Sequence, residues 1–132
     1  MIQSLEVGIV AVDGLGLSEF YVEGLGFEVD RVLEFTVGTV RRLSCGPAFL
    51  KIYQPAEIPS PNAVAESWSA RGGINYGALH VADAMKTVTN AVKAGATVLA
   101  PVTNHRPGAF FALIADPDGN VWEVLQEEAA AP

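Results

Sequence analysis

Apolar and polar residues alternate from the start of the chain. Over 5–13, Leu5, Val7, Ile9 and Ala11 share one face and Glu6, Gly8, Val10 and Val12 the other, which is the period of a strand. Asp13-Gly14 closes that run, and a short helix is predicted over 17–23 with Phe20 and either Leu17 or Tyr21 inward, stopped by Gly24-Leu25-Gly26. Three strands follow, over 28–35, 39–44 and 48–54, with turns at Val37-Gly38 and Cys45-Gly46-Pro47. Pro55, Pro59, Pro61 and Gly72-Gly73 then interrupt any steady period, so residues 56–73 are expected to connect rather than to pack. Beyond them the pattern restarts with a strand over 75–81. Asp83 caps an amphipathic helix expected to turn Met85, Val88 and Val92 inward and Lys86, Asn90 and Lys93 outward, with Gly95 ending it. A strand over 97–100, a loop holding Asn104, His105 and Arg106, and a hairpin pairing 109–115 with 120–126 complete the chain. Its turn, Asp116-Pro117-Asp118-Gly119, puts proline where φ is preset and glycine where positive φ is tolerated.

The two stretches repeat one another. Asp13 and Asp83 each end a strand and open a helix, Gly24 to Gly26 and Gly95 end those helices, and Leu50-Lys51-Ile52-Tyr53-Gln54 aligns with Trp122-Glu123-Val124-Leu125-Gln126. Each half reads strand, helix, three strands. The fold expected is therefore α+β: two βαβββ modules, 1–55 and 74–128, forming a cupped mixed sheet in one domain with helices on the outer face and a ligand site in the concavity.

Composition narrows the partners. At 132 residues, half of them apolar, the chain suits one domain with a buried core. Eight basic residues against 15 acidic ones give a net charge of −7, which argues against a nucleic-acid backbone or an anionic membrane surface and favours a neutral or cationic small molecule. Cys45 is alone, so no intrachain disulfide is available and a packing role is expected. Nothing reads as a targeting leader or a membrane span of ~18 apolar residues, and a cytoplasmic location is expected.

The run Val7-Gly8-Ile9-Val10-Ala11-Val12-Asp13, then Phe20-Tyr21 with Leu25-Gly26-Phe27, and finally Ala115-Asp116-Pro117-Asp118-Gly119-Asn120-Val121-Trp122-Glu123-Val124 resembles the glyoxalase, bleomycin-resistance and extradiol-dioxygenase superfamily, the vicinal oxygen chelate proteins. The resemblance implies a small organic ligand, a homodimer and, in metal-bearing members, one metal ligand on the first and last strand of each half. Those four slots align here with Glu6, Lys51, Tyr76 and Glu123. Glu123 fits the pattern and Glu6 is another oxygen donor, so these two would hold a metal were one retained. A lysine beside carboxylates stays protonated and offers no lone pair, and a tyrosine is a neutral phenol at pH 7. The expectation is a degenerate metal site with no cofactor, in which Lys51 replaces the cation and pairs with Glu6 and Glu123.

His80 follows Tyr76 on the same strand face, with Ala78 between them. Two uses of this set stay open. One is an inert salt bridge filling the vacated space. The other is acid–base chemistry of isomerase, epimerase or lyase type on an enolisable carbonyl compound. In that case Glu6 or Glu123 removes a proton, Lys51 or Tyr76 stabilises the oxyanion and His80 shuttles the proton. A different class of function is sequestration of an aromatic molecule, as the resemblance to bleomycin-resistance proteins implies, by Phe49, Tyr53, Trp68, Phe110 and Phe111. Trp68 also suits plain packing, and His105 and Arg106 could hold an anionic group at the rim. A metal-dependent glyoxalase- or dioxygenase-like enzyme requires a one-residue change of strand register, which would exchange the faces.

Overall fold

Two aspartates and two glutamines fix where each half passes from strand to helix. In the computed structural model, which describes residues 1–62 and 65–127 but not the side chain of Glu66, the chain divides into two compact units, Met1–Pro61 and Asn62–Pro132. The first contains β1 (Val7–Val10), α1 (Gly14–Glu19), β2 (Glu28–Phe35), β3 (Gly38–Cys45) and β4 (Ala48–Pro55). The second contains a 3-10 turn (Ala65–Ala70), β5 (Tyr76–His80), α2 (Ala84–Lys93), β6 (Thr97–Arg106), β7 (Ala109–Ala115) and β8 (Val121–Glu127). Asp13 accepts from the Gly16 N–H at 3.0 Å, and Gln54 from the end of β4 accepts from the Gly14 N–H at 2.7 Å. Asp83 and Gln126 repeat the device, on the Lys86 N–H at 3.0 Å and the Ala84 N–H at 2.8 Å. Helix-initial N–H groups lack intrahelical acceptors, so these bonds both cap the helix and tie it to the sheet.

Each unit is a four-stranded mixed sheet, ordered β1-β4-β3-β2 in the first and β5-β8-β7-β6 in the second. β1 runs parallel to β4 and β5 to β8, while the other neighbours are antiparallel. Alternation gives every sheet two faces. In the first unit Ile9, Leu43, Leu50 and Ile52 are buried together with Leu17, Phe20, Tyr21 and Phe27. After Glu19 the helix widens into one π turn, Phe20–Gly24, which brings Phe20 and Tyr21 inward together, their rings edge-on at 5.1 Å between centroids. Gly26, at φ +76°, then reverses the chain so that the Phe27 N–H reaches the Tyr21 carbonyl at 3.0 Å. In the second unit Ala112, Ile114, Trp122 and Val124 are buried with Ala84, Val88 and Ala91 of α2. Each large side chain so buried contributes ~1.5–3 kcal/mol.

Five local expectations change. β1 is shorter than 5–13, and α1 begins at Gly14 rather than at 17. Leu17, Phe20 and Tyr21 are all buried, because the π turn shifts the angular position of the later residues. On α2 the inward stripe is Ala84, Val88 and Ala91, while Met85 and Val92 are exposed. Small residues let the helix lie closer to the sheet than Met85 would. Finally, Asn104, His105 and Arg106 are not in a loop: β6 continues through Pro101 to Arg106, its register slipping at three irregularities. As an edge strand it needs no inter-strand bond from the proline nitrogen. Of the predicted connector and second module, residues 63, 64 and 128 lie outside the described residues.

Candidate functional site

Strand register assigns the polar residues to the sheet faces that do not pack on the helices. Gly8, Lys51 and Arg42 lie side by side across β1, β4 and β3, as do Val10, Tyr53 and Val40 one step on. Ile9 with Ile52 and Leu43 with Leu50 alternate with them and are buried, so Lys51 and Arg42 stand on the opposite face. Glu6 joins them there. Its Oε1 accepts from Arg42 Nη2 at 2.6 Å and its Oε2 lies 3.1 Å from Lys51 Nζ. Arg42 Nη1 donates to Asp30 Oδ2 at 3.1 Å, and Arg31 Nε reaches the same oxygen at 3.2 Å. The Arg42 guanidinium also lies over the Phe49 ring, 3.4 Å from its centroid.

These bonds set the charge state of Glu6. The Arg42 hydrogen bond first, and the Lys51 hydrogen bond second, hold its carboxyl below the usual carboxylate range despite partial desolvation. A carboxylate so stabilised is a weak base. Both of its oxygens are engaged, one by each cation.

In the second unit Tyr76, Ala78 and His80 of β5 pair with Val121, Glu123 and Leu125 of β8, and Leu113 and Phe111 continue the last two rows on β7. Gly77, Leu79, Trp122 and Val124 alternate with them toward α2. The shared face inferred for Tyr76 and His80 thus also carries Glu123 and Phe111. Trp68 packs edge-on against Tyr76, ring centroids 5.2 Å apart, and Asn75 Nδ2 fixes its turn by donating to the Trp68 carbonyl at 3.1 Å. His105 packs against Phe111 at 6.4 Å between centroids. Arg106 pairs with Glu127 at 3.2 Å.

A family model described as Glyoxalase/Bleomycin resistance protein/Dioxygenase superfamily matches residues 10–124. The chain belongs to this superfamily. A glyoxalase family protein from Bacillus cereus has a similar structure, with a TM-score of 0.83 at 12% identity, covering 95% or more of each chain: 97% of this one and 96% of that one. Glyoxalase I from Zea mays gives a TM-score of 0.78 at 19% identity over 97% of this chain and 45% of that one, and the fosfomycin resistance protein FosX from Mesorhizobium loti gives 0.65 at 16% over 94% and 91%. No curated protein matches. Superfamily members bind small molecules, and among the described residues no helix is long and apolar enough to cross a membrane.

Of the four positions aligned by the resemblance, Lys51, Tyr76 and Glu123 lie on β4, β5 and β8, and Glu6 immediately precedes β1. Phe49 and Tyr53 lie on the face of Lys51, and Phe111 lies on that of Glu123. The pairing foreseen for Lys51 with Glu6 is present. Arg42 was not foreseen. Its signal lay in the β3–β4 turn: counting outward from Gly46-Pro47 puts Arg42 directly opposite Lys51. Cys45, at the end of β3, is half-buried, and burial pushes its thiol up, as suits a packing residue.

Proposed function

We propose that this protein binds a small organic molecule on its helix-free sheet faces and acts on it with side chains instead of a metal. The observation that carries this reading is the pair of cations on Glu6, one to each oxygen. Superfamily relatives that use a metal need lone pairs at this position. Here both oxygens of Glu6 are engaged, and the ammonium of Lys51 repels a divalent ion. The residues do not fit the metal.

The chemistry this favours is proton transfer on an enolisable carbonyl compound, as an isomerase, epimerase or lyase would perform. In the first unit Lys51, oriented by Glu6, is the group suited to a ligand's negative charge. In the second unit, taken by itself, Glu123 stands between Ala78 and Leu113 on the face of Tyr76, and the reading gives proton removal to Glu123 and the oxyanion to Tyr76. His80, on the same face, is placed to pass on the proton. Sequestration without turnover is the second reading, and the rings of Tyr53, Phe111 and Tyr76 on these faces favour it.

Solvent-deuterium exchange into a panel of 2-oxo and 3-oxo acids separates them. Exchange that persists after dialysis against chelator and is lost in Glu123→Gln, but not in an exposed control such as Lys86→Gln, supports catalysis. Binding without exchange supports sequestration, and exchange abolished by chelator would contradict the metal-free reading.

A further inference from the structure

The ion-pair network on the first sheet is unbalanced. Arg31, Arg42 and Lys51 are linked through only two carboxylates, Asp30 and Glu6, each shared by two cations. Glu28, at the far edge of the same face, joins no ion pair among the described residues. The surplus positive charge is not evenly presented. Arg42 is the more enclosed cation, with 22% of its side chain exposed, and it spends both arms on carboxylates. The Lys51 side chain is 49% exposed, and its ammonium, with three donors, has Glu6 alone as partner among the described residues.

The ground beside Lys51 is open. Its neighbour across the strand is Gly8, where a Cβ would meet nothing within 4 Å. One row on stand Val10, which is 60% exposed, and Tyr53, whose ring is pinned by its hydroxyl donating to the Val37 carbonyl at 2.9 Å. An ammonium with unused donors, a gap without a side chain and a fixed apolar wall thus lie in sequence along one face.

Resting on the small-molecule reading above, we propose that this face selects organic acids, the ligand's carboxylate on Lys51 and its apolar body across Gly8 against Val10 and Tyr53. The chain's net charge of −7 favours neutral or cationic ligands; at this spot the half-exposed Lys51 ammonium reverses that preference.

The test uses the full chain, labelled with nitrogen-15, and three probes that share a phenylpropyl skeleton: 3-phenylpropanoate, 3-phenylpropanamide and 3-phenylpropylamine. The expected result is that the acid shifts the amides of Gly8, Val10 and Lys51 and binds about tenfold more tightly than the amide or the amine. Lys51→Met should remove that tenfold, Lys51→Arg should keep most of it, and Gly8→Leu should block the acid while leaving the rest of the spectrum in place. Equal binding of amine and acid at these amides, acid binding unchanged in Lys51→Met, or shifts confined to the second sheet would overturn the selection of acids and leave the small-molecule reading standing. If none of the probes moves an amide on either helix-free face, both fall.

Discussion

Glu6 is a carboxylate whose two oxygens are engaged by different cations, and that arrangement decides what it can do. Arg42, a planar donor, takes the shorter bond at 2.6 Å, and Lys51, a point charge, takes the longer at 3.1 Å. Because the folded state holds this carboxyl below its ordinary range, the unfolded chain binds the proton more readily. The stability Glu6 contributes is therefore present at neutral pH and lost as acid carries the pH through its folded value. Urea midpoints measured from pH 7 down to about pH 3 should fall less steeply in Glu6→Gln than in the parent chain; identical slopes would show that the ion pairs do not form in solution. Among single residues, the ion pair of Lys51 with Glu6 was legible from the four slots that the family resemblance implies. Arg42 was missed, because a cross-strand neighbour has to be counted outward from the Gly46-Pro47 turn and carries no motif of its own.

Elements were most legible where pattern and punctuation agreed. β2 and β7 begin and end where alternation and flanking turns put them, at Glu28–Phe35 and Ala109–Ala115. β6 was cut short at Pro101, since proline reads as a stop unless the strand is known to be an edge, which is a property of the sheet. The face of α2 was misjudged for a related reason: hydrophobicity favoured Met85 and Val92, whereas close approach to a sheet favours alanine. Two glycines in matched strands show how far local context governs. Gly77 faces the helix side, where a Cβ would overlap the Trp122 ring, while Gly8 faces open space. Gly77→Ala should destabilise the protein by about 1–3 kcal/mol, and Gly8→Ala should be neutral or slightly stabilising, both read as shifts in the urea midpoint. Equal effects at the two positions would refute the assignment of faces.

For the whole molecule, a duplicated sheet-and-helix unit carries different chemistry on equivalent strands: Lys51 on β4 of the first and Glu123 on β8 of the second. Membership of the superfamily was readable from the repeat and the Asp116-Pro117-Asp118-Gly119 turn, and the matched stretch of 10–124 spans most of the chain. We propose that Arg42 and Lys51 engage the oxygens of Glu6 at a position where metal-bearing relatives present a ligand with free lone pairs. Metal content measured on protein purified without chelator, then offered nickel, zinc, manganese and ferrous iron in turn, tests it most directly. Substoichiometric metal throughout is the predicted result, and one equivalent per chain that Glu6→Gln removes would contradict it.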